Sequence, residues 1–249
     1  MKNTSWEPVS TEYDKKLKDR GDWAHTNIVI PNTIKLLSLT SKSSLLDLGC
    51  GQGILARSIP NTIVYIGIDI APSLIAFANN RDQNNHHQYY TSDITKQLPI
   101  QSSFTHAACI LTLDNIKNPI DVIHQAYLHL QTNGIFVIVI NHPCFRIPRQ
   151  SSWGIDVQNK LQYRRINRYL SPIEIPITMH PGMTNSLVTW TYHFPISMYS
   201  AWLKENGFVI NIMEEWTSDK DSVGRAAKME NRARSEFPLF LAIKAIKSK

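Results

Sequence analysis

The stretch Leu45-Leu46-Asp47-Leu48-Gly49-Cys50-Gly51-Gln52-Gly53 constrains this chain more than any other. A short apolar run ends in three glycines placed at every second position. Glycine takes left-handed backbone angles without steric penalty and lets a ligand approach the main chain closely. Ile54 to Ile59 then reads as the opening of a helix, which makes the segment a strand, a tight turn and a helix, the start of a βαβ unit. The free N–H groups at the start of such a helix favour negative charge.

The glycine spacing narrows what that turn can hold. A dinucleotide fingerprint reads G-x-G-x-x-G. Here the pattern is G-x-G-x-G, with Ile54 where the third glycine of that fingerprint would fall. A second apolar strand, Thr62 to Ile70, carries Asp69 near its end, 22 positions after Asp47. An acid at that tip can accept hydrogen bonds from two adjacent ribose hydroxyls. The rest of the first half alternates in the same way. Leu74 to Asn79 reads as a helix opened by Pro72 and Ser73, and Gln88 to Ile94 as a third strand. Ala107 to Leu113 reads as a fourth strand, with Asp114 and Asn115 at its carboxyl end facing the crevice. Pro119 to Leu130 is an amphipathic helix that Asn133-Gly134 should close, and Ile135 to Ile140 is a fifth, uninterrupted apolar strand.

Taken together, the G-x-G-x-G turn after a strand, Asp47 two positions before it, Asp69 after the second strand and Asp93 after the third resemble the class I S-adenosylmethionine-dependent methyltransferases. The passage Leu98-Pro99-Ile100 … Ser103-Phe104-Thr105-His106 is similar to a turn of that family, with Thr105-His106 where an aspartate often stands. The resemblance covers residues 45–140 and implies a Rossmann-like, seven-stranded, mostly parallel sheet with helices on both faces. It implies S-adenosyl-L-methionine as cofactor. The glycine turn (Asp47, Gly49, Cys50, Gly51, Gly53) would hold it, with Asp69 and Ile70 on the ribose, Asp93 and Ile94 on the adenine, and Leu111 alongside. No metal is implied.

Outside that region the helical rhythm stops between Ile140 and Ser197. Lys160 to Tyr169 and Ser186 to Phe194 are rich in aromatic and branched residues and read as strands of a small antiparallel insertion. The linker between them, with Pro172, Pro176 and Pro181-Gly182, reads as a lid-like loop. Residues 141–195 are therefore expected to form a substrate lid, inserted into a core made of 1–140 and 196–249. Its aromatics suggest a mostly apolar pocket of small-molecule scale. The runs His142-Pro143-Cys144-Phe145-Arg146-Ile147-Pro148 and Thr191-Tyr192-His193-Phe194-Pro195 resemble bacterial small-molecule methyltransferases, though Phe194 stands where some relatives carry a basic residue.

The remaining segments complete the sheet. Ile196 to Asn206 reads as a helix ended by Gly207, Phe208 to Trp216 as a sixth strand, Val223 to Glu236 as partly helical, and Leu239 to Ile246 as the last strand. The resemblance runs that last strand antiparallel to its neighbours. At the other end, residues 1–20 carry Tyr13 and Leu17 at helical spacing, Gly21 to His25 break that helix, and Thr26 to Leu39 form another with Pro31 near a start or kink. The resemblance lets such a segment fold over the cofactor, with Tyr13, Trp23 and His25 as candidates.

Methyl transfer is an in-line displacement, so much of its rate comes from positioning. A phenol, amine or carbon acceptor can also need a base, for which histidine is suited near neutral pH. His142, directly after the fifth strand, is the first candidate, with His180 and His193 behind it. Arg146 is a candidate clamp for a carboxylate or phenolate. Trp153, Trp190 and Tyr192 are candidate walls of the acceptor pocket.

Composition bounds the alternatives. The chain has 249 residues, 43% hydrophobic and 18% charged, enough for one large domain or a domain with an insertion. A formal charge of +6 is spread rather than gathered in a stripe, so nucleic-acid binding is not argued for. Cys50, Cys109 and Cys144 form no C-x-x-C pair, which favours a reducing compartment. No apolar run approaches the roughly 18 residues that span a bilayer, and Met1 to Ser10 lack the apolar core of a signal peptide. A cytoplasmic monomer or homodimer acting on a small-molecule acceptor is the expectation. An RNA or protein methyltransferase, a nicotinamide-dependent enzyme and a non-catalytic S-adenosylmethionine binder remain the alternatives.

Overall fold

The computed structural model describes residues 6–178 and 188–248. One seven-stranded sheet carries the molecule. Its strands are β1 (Ser44–Leu48), β2 (Val64–Asp69), β3 (His87–Thr91), β4 (Phe104–Ile110), β5 (Leu130–Asn141), β10 (Phe208–Trp216) and β11 (Phe240–Lys247). They lie in the order β10-β11-β5-β4-β1-β2-β3. The first five pair in parallel, while β11 runs antiparallel to β5 and β10 antiparallel to β11. The expected Rossmann-like class is therefore the observed one. Chain order reverses between β1 and β4, which opens a crevice beyond their carboxyl ends, where α/β sheets of this kind bind ligands.

Both faces of the sheet are covered, which is why its central strands are apolar on both sides. On one face, α4 (Pro119–His129) and α5 (Ile196–Glu205) send Val122, Ile123, Ala126, Tyr199 and Leu203 against Leu46, Ile66, Phe136 and Ile138. On the other, α1 (Ser10–Leu17) and α2 (Ile30–Leu37) bring Leu17, Leu36 and Leu37 against Leu45, Ile63, Val137 and Val139. A π-helical stretch, His25–Val29, leads into α2, and its wider turn falls just before Pro31. Proline lacks the N–H and crowds the preceding turn, so a local change of helical pitch accommodates it there.

Two expectations are corrected in this core. Ile54 to Ile59 is not a regular helix but a set of turns ending in a short 3-10 segment, Ala56–Ser58. The carbonyl groups there bond at short range, and Ser58 Oγ and the Arg57 guanidinium donate to the Ile54 and Gln52 carbonyl oxygens. The helix α4 ends at His129 rather than at Asn133-Gly134. The chain enters β5 at Leu130, and residues 131–134 bulge out of the β4–β5 ladder between the pairs Phe104–Leu130 and His106–Ile135. The left-handed residue of that bulge is Asn133, at φ 64°.

Between β5 and α5 the chain forms two separate antiparallel pairs. One is β6 (Ser151–Asp156) with β7 (Leu161–Ile166), and the other is β8 (Ile173–Thr178) with β9 (Val188–His193). The expected proline-rich linker is thus in part a strand, because Pro176 sits in β8 opposite Trp190 of a two-stranded ribbon. Such a ribbon has only edge strands, and proline is tolerated at an edge. The first pair packs on α6 (Ala227–Glu236), with the Trp153 ring edge-on to Phe237 at 5.4 Å. Among the described residues, no helix is long and apolar enough to cross a membrane.

Candidate active site

A cavity of about 680 Å³ opens beyond β1, β2 and β4. The glycine turn forms its floor. Gly49 and Gly51 have φ of 81° and 53°, and a side chain at Gly49 would collide with Thr112, which donates its hydroxyl hydrogen to the Gly49 carbonyl. Gly51 faces open space instead, with nothing within 4 Å of where a Cβ would stand. Its N–H donates to Asp69 Oδ2 at 2.9 Å, and the Ala71 N–H donates to Asp69 Oδ1 at 2.9 Å. Burial pushes the Asp69 carboxyl up from its ordinary value, offset only in part by those two N–H groups.

The other wall acids differ in setting. Asp47 is 2% exposed and accepts the Tyr65 hydroxyl at 2.7 Å. Burial pushes its carboxyl up to about 7, against that hydrogen bond and with the nearby Asp69 charge adding to it. Asp93 is also drawn up by partial burial, but Thr95, which donates both its N–H and its hydroxyl, holds it below the ordinary carboxylate range, with Lys96 assisting. Leu111 takes a left-handed conformation, φ 52°, directly after β4. Side chains rarely sit there, and such outliers gather at functional sites.

The N-terminal segment closes one side of the cavity with Trp6, Tyr13, Leu17 and His25. It is staked down at several points. Glu7 accepts both the N–H and the hydroxyl of Ser73 at the first turn of α3 (Pro72–Arg81), and Arg81 pairs with Asp14 and Asp19. Arg81 also donates to Gln52 of the glycine turn. The Tyr13 and Trp6 rings meet at 4.9 Å, and burial raises the Tyr13 phenol well above its ordinary value, with Asp69 adding to the effect. Trp23, a candidate from the sequence alongside Tyr13 and His25, lies off the cavity under the Lys220 ammonium, 4.0 Å from its ring centroid. The β8–β9 pair contributes Glu174 and Tyr192.

The cavity gathers most of the residues assigned to a cofactor from the sequence: Asp47, Gly49, Cys50, Gly51, Asp69, Ile70, Asp93, Ile94 and Leu111 all line it. Gly53 stands just outside, against the Tyr89 hydroxyl. The acceptor candidates scatter. Tyr192 lines the cavity, Trp190 packs against the core, and Trp153 lies across the β6–β7 pair from Arg164, whose guanidinium covers its ring. Arg146 lies over the Phe240 ring and donates to the Leu239 carbonyl. It lines a second, smaller chamber of about 40 Å³ with Asp114, Asn141, Thr191, Tyr192 and His193.

The same geometry sets the leading histidine candidate apart from the cavity. His142 is 1% exposed and does not reach the cavity. Its Nδ1 accepts the Cys144 and Phe145 N–H groups at 3.2 and 3.3 Å, so the ring proton sits on Nε2 and is donated to Glu215 at 2.7 Å. Burial lowers its pKa, with Glu215 opposing. The ring packs at a tilt on Phe145, which meets Phe237, which meets Trp153. The HP.FR.P run thus forms an aromatic hinge that seats the first hairpin on the core. His193 is buried and donates Nε2–H to the Tyr169 carbonyl at 2.7 Å, and burial lowers its pKa too. His180 lies outside the described residues. Sequence reasoning missed Glu174, whose charge in a proline-rich stretch carried no signal, and Glu7, whose partner Ser73 is 66 residues away.

A family model described as a methyltransferase domain matches residues 23–211. The chain belongs to that family. It is 26% identical over 156 residues to a ubiquinone biosynthesis O-methyltransferase from Glaesserella parasuis, across 57% of this chain and 61% of that protein's length. Two solved structures share the fold. An S-adenosylmethionine-dependent methyltransferase from Mesorhizobium loti superposes with a TM-score of 0.65 at 23% identity, covering 84% of this chain and 94% of its own. The glycopeptide N-methyltransferase MtfA, complexed with S-adenosylmethionine, gives 0.59 at 14% identity over 99% of this chain and 100% of its own. The residues present fit that cofactor. The open space over Gly51 admits a ligand against the backbone, Asp69 offers a carboxylate to a ribose, and the lining acids suit a ligand with a sulfonium and an ammonium.

Proposed function

We propose that this protein transfers a methyl group from S-adenosylmethionine to a small-molecule acceptor. The bound cofactor would supply an electrophilic methyl group on a sulfonium. The protein's part is to hold, orient and exclude water. Asp69 would hold the ribose hydroxyls, Asp93 and Ile94 the adenine, and the Gly49–Gly51 backbone the amino-acid end, beside Asp47. Trp6 and Tyr13 shield the site from water on one side, and Tyr192 and Glu174 on the acceptor side. An aromatic face near a sulfonium adds cation–π attraction.

The observation that carries the small-molecule reading is the character of the acceptor side. Apart from the acids assigned to the cofactor, the cavity lining holds Asp121 and Glu174, the latter from the β8–β9 pair beside Tyr192, against Lys96 and Lys117, so it has no excess of positive charge. A nucleic-acid groove would carry such an excess, since phosphate contacts dominate that affinity. In this reading residues 141–195 are the acceptor cover. A panel of phenols, amines and carboxylates with radiolabelled cofactor is the test, with RNA and protein substrates alongside. Label entering only a macromolecule would overturn the reading.

A further inference from the structure

Asp114 sits in the 3-10 turn that follows the left-handed Leu111, with 8% of its surface exposed. Its Oδ2 accepts the Asn141 amide, and its backbone carbonyl accepts the Thr191 hydroxyl at 2.8 Å. Its Oδ1 is buried and, among the described residues, has no hydrogen-bond partner. Leaving one oxygen of a buried carboxylate unbonded costs the desolvation of that atom, so native structures rarely keep such an atom without a use.

The setting of that oxygen is specific. Asp114 lines the 40 Å³ chamber, and Arg146, which is largely withdrawn from water, lines the same space. The two charges make no direct ion pair. Tyr192 belongs to the linings of both this chamber and the large cavity. The chamber is therefore the next space beyond the acceptor side, with one tyrosine shared between them. Its size admits a small polar group, since about 10–15 Å³ of such space is enough to hold a water.

We propose that this chamber is a subsite for a hydroxyl group of the acceptor, which donates to Asp114 Oδ1 and accepts from Arg146. The choice of group follows from the charges. An anion would meet the carboxylate, a cation would meet the guanidinium, and a hydrocarbon would leave both unsatisfied. A hydroxyl is at once donor and acceptor. Asn141 fixes the carboxylate plane, and the Thr191 bond ties β9 to the same turn, so the subsite and the acceptor wall are positioned together.

The proposal rests on the small-molecule reading above but is tested separately. Crystals of the S-adenosylhomocysteine complex are soaked with phenol, catechol, benzoate or benzylamine. A phenolic oxygen within hydrogen-bond distance of Asp114 Oδ1 and the Arg146 guanidinium is the expected result, lost in Asp114→Ala. In solution, the same variant should weaken catechol binding by about 10- to 100-fold, the usual worth of a hydrogen bond to a charged group. If Asp114→Ala does not fold, Asp114→Asn replaces it, with thermal stabilisation by S-adenosylhomocysteine as the folding control. A chamber that prefers benzoate or benzylamine, or that keeps a water against all four probes, overturns the subsite. So does unchanged phenol placement in the variant. A failed methylation screen with phenol seated at Asp114 would instead count against the small-molecule reading alone.

Discussion

The Gly51 N–H donates to Asp69 Oδ2 at 2.9 Å, which ties the glycine turn after β1 to the tip of β2. Asp69 thus has two tasks. It shapes the turn from below and presents a carboxylate to the cavity from the side. Asp69→Ala should weaken S-adenosylmethionine and S-adenosylhomocysteine binding by about 10- to 100-fold, and it should also lower the stability of the free protein. Calorimetric titration of both ligands checks this. Asp69→Asn separates the tasks, because its amide keeps the shape but can accept from only one side. Unchanged affinity in both variants would remove Asp69 from the ligand site.

The glycines of the turn should respond differently to alanine. At Gly49 the new Cβ would come within 2.3 Å of Thr112, in a backbone conformation that already disfavours a side chain. Gly49→Ala should therefore damage folding, seen as a large drop in melting temperature. Gly51→Ala meets nothing within 4 Å. It should cost only the left-handed backbone penalty, about 1–2 kcal/mol, yet reduce cofactor binding by filling the approach to the main chain. The reverse ranking in thermal melts would contradict this account.

Asp47 should make cofactor binding depend on pH. Its carboxyl is pushed up to about 7 in the fold, so the native state holds its proton through a range where the unfolded chain has lost it. Stability then falls as pH rises from the ordinary carboxylate value towards 7, and the penalty is complete above that. Asp47→Asn, which can still accept from Tyr65, should be more stable than the parent at pH 8, by up to a few kcal/mol, and equal to it near pH 4. Urea melts at the two pH values decide it. A cationic ligand favours the ionised carboxylate, so S-adenosylmethionine should bind more tightly as pH rises through 7 and release a proton below it. Titrations in buffers of different ionisation enthalpy would show that proton.

How much of this was legible in the chain depended on range. The central sheet was readable because strands buried on both faces are runs of Val, Ile and Leu, as in Ile135 to Ile140, and need no partner to be recognised. The crevice acids were readable because α/β geometry places a strand's last residue at the ligand. What failed was set by partners distant in sequence. His142 has the position of a crevice residue, but Glu215, 73 residues on, and the local N–H groups of Cys144 and Phe145 turn its ring away. Trp153 has the look of a pocket wall, but its partner is Phe237. Pairings of this kind leave no periodic trace.

Trp153 and Tyr192 should accordingly separate in experiment. Trp153→Ala removes the contacts with Phe237 and Arg164, and it should lower stability while leaving turnover near the parent value. Tyr192→Ala removes the ring that lines both the cavity and the inner chamber, and should raise KM for the acceptor with little effect on cofactor affinity. Steady-state kinetics with the best acceptor from the screen tests both, and a turnover loss confined to Trp153→Ala would reverse the assignment.

His142 is the last case, and its two possible roles have opposite signatures. As a hinge residue it is held neutral. Burial outweighs Glu215 and lowers its pKa, so between the folded value and the ordinary value near 6.5 the unfolded chain binds a proton that the native ring refuses. Unfolding is then favoured by acid, and the contribution is present above pH 6.5 and lost as pH falls below it. His142→Gln cannot take that proton, so its stability should fall less steeply with acid than the parent's. At pH 8 it should be less stable by about 1–3 kcal/mol, the usual worth of a disturbed buried hydrogen-bond set. Turnover per folded molecule should hardly change, because the ring does not line the cavity. A general base would behave otherwise, with turnover falling about 10²–10⁴-fold and its acid limb disappearing in the variant. Measuring the denaturation slope against pH and the turnover–pH profile on the same His142→Gln preparation tells the two roles apart.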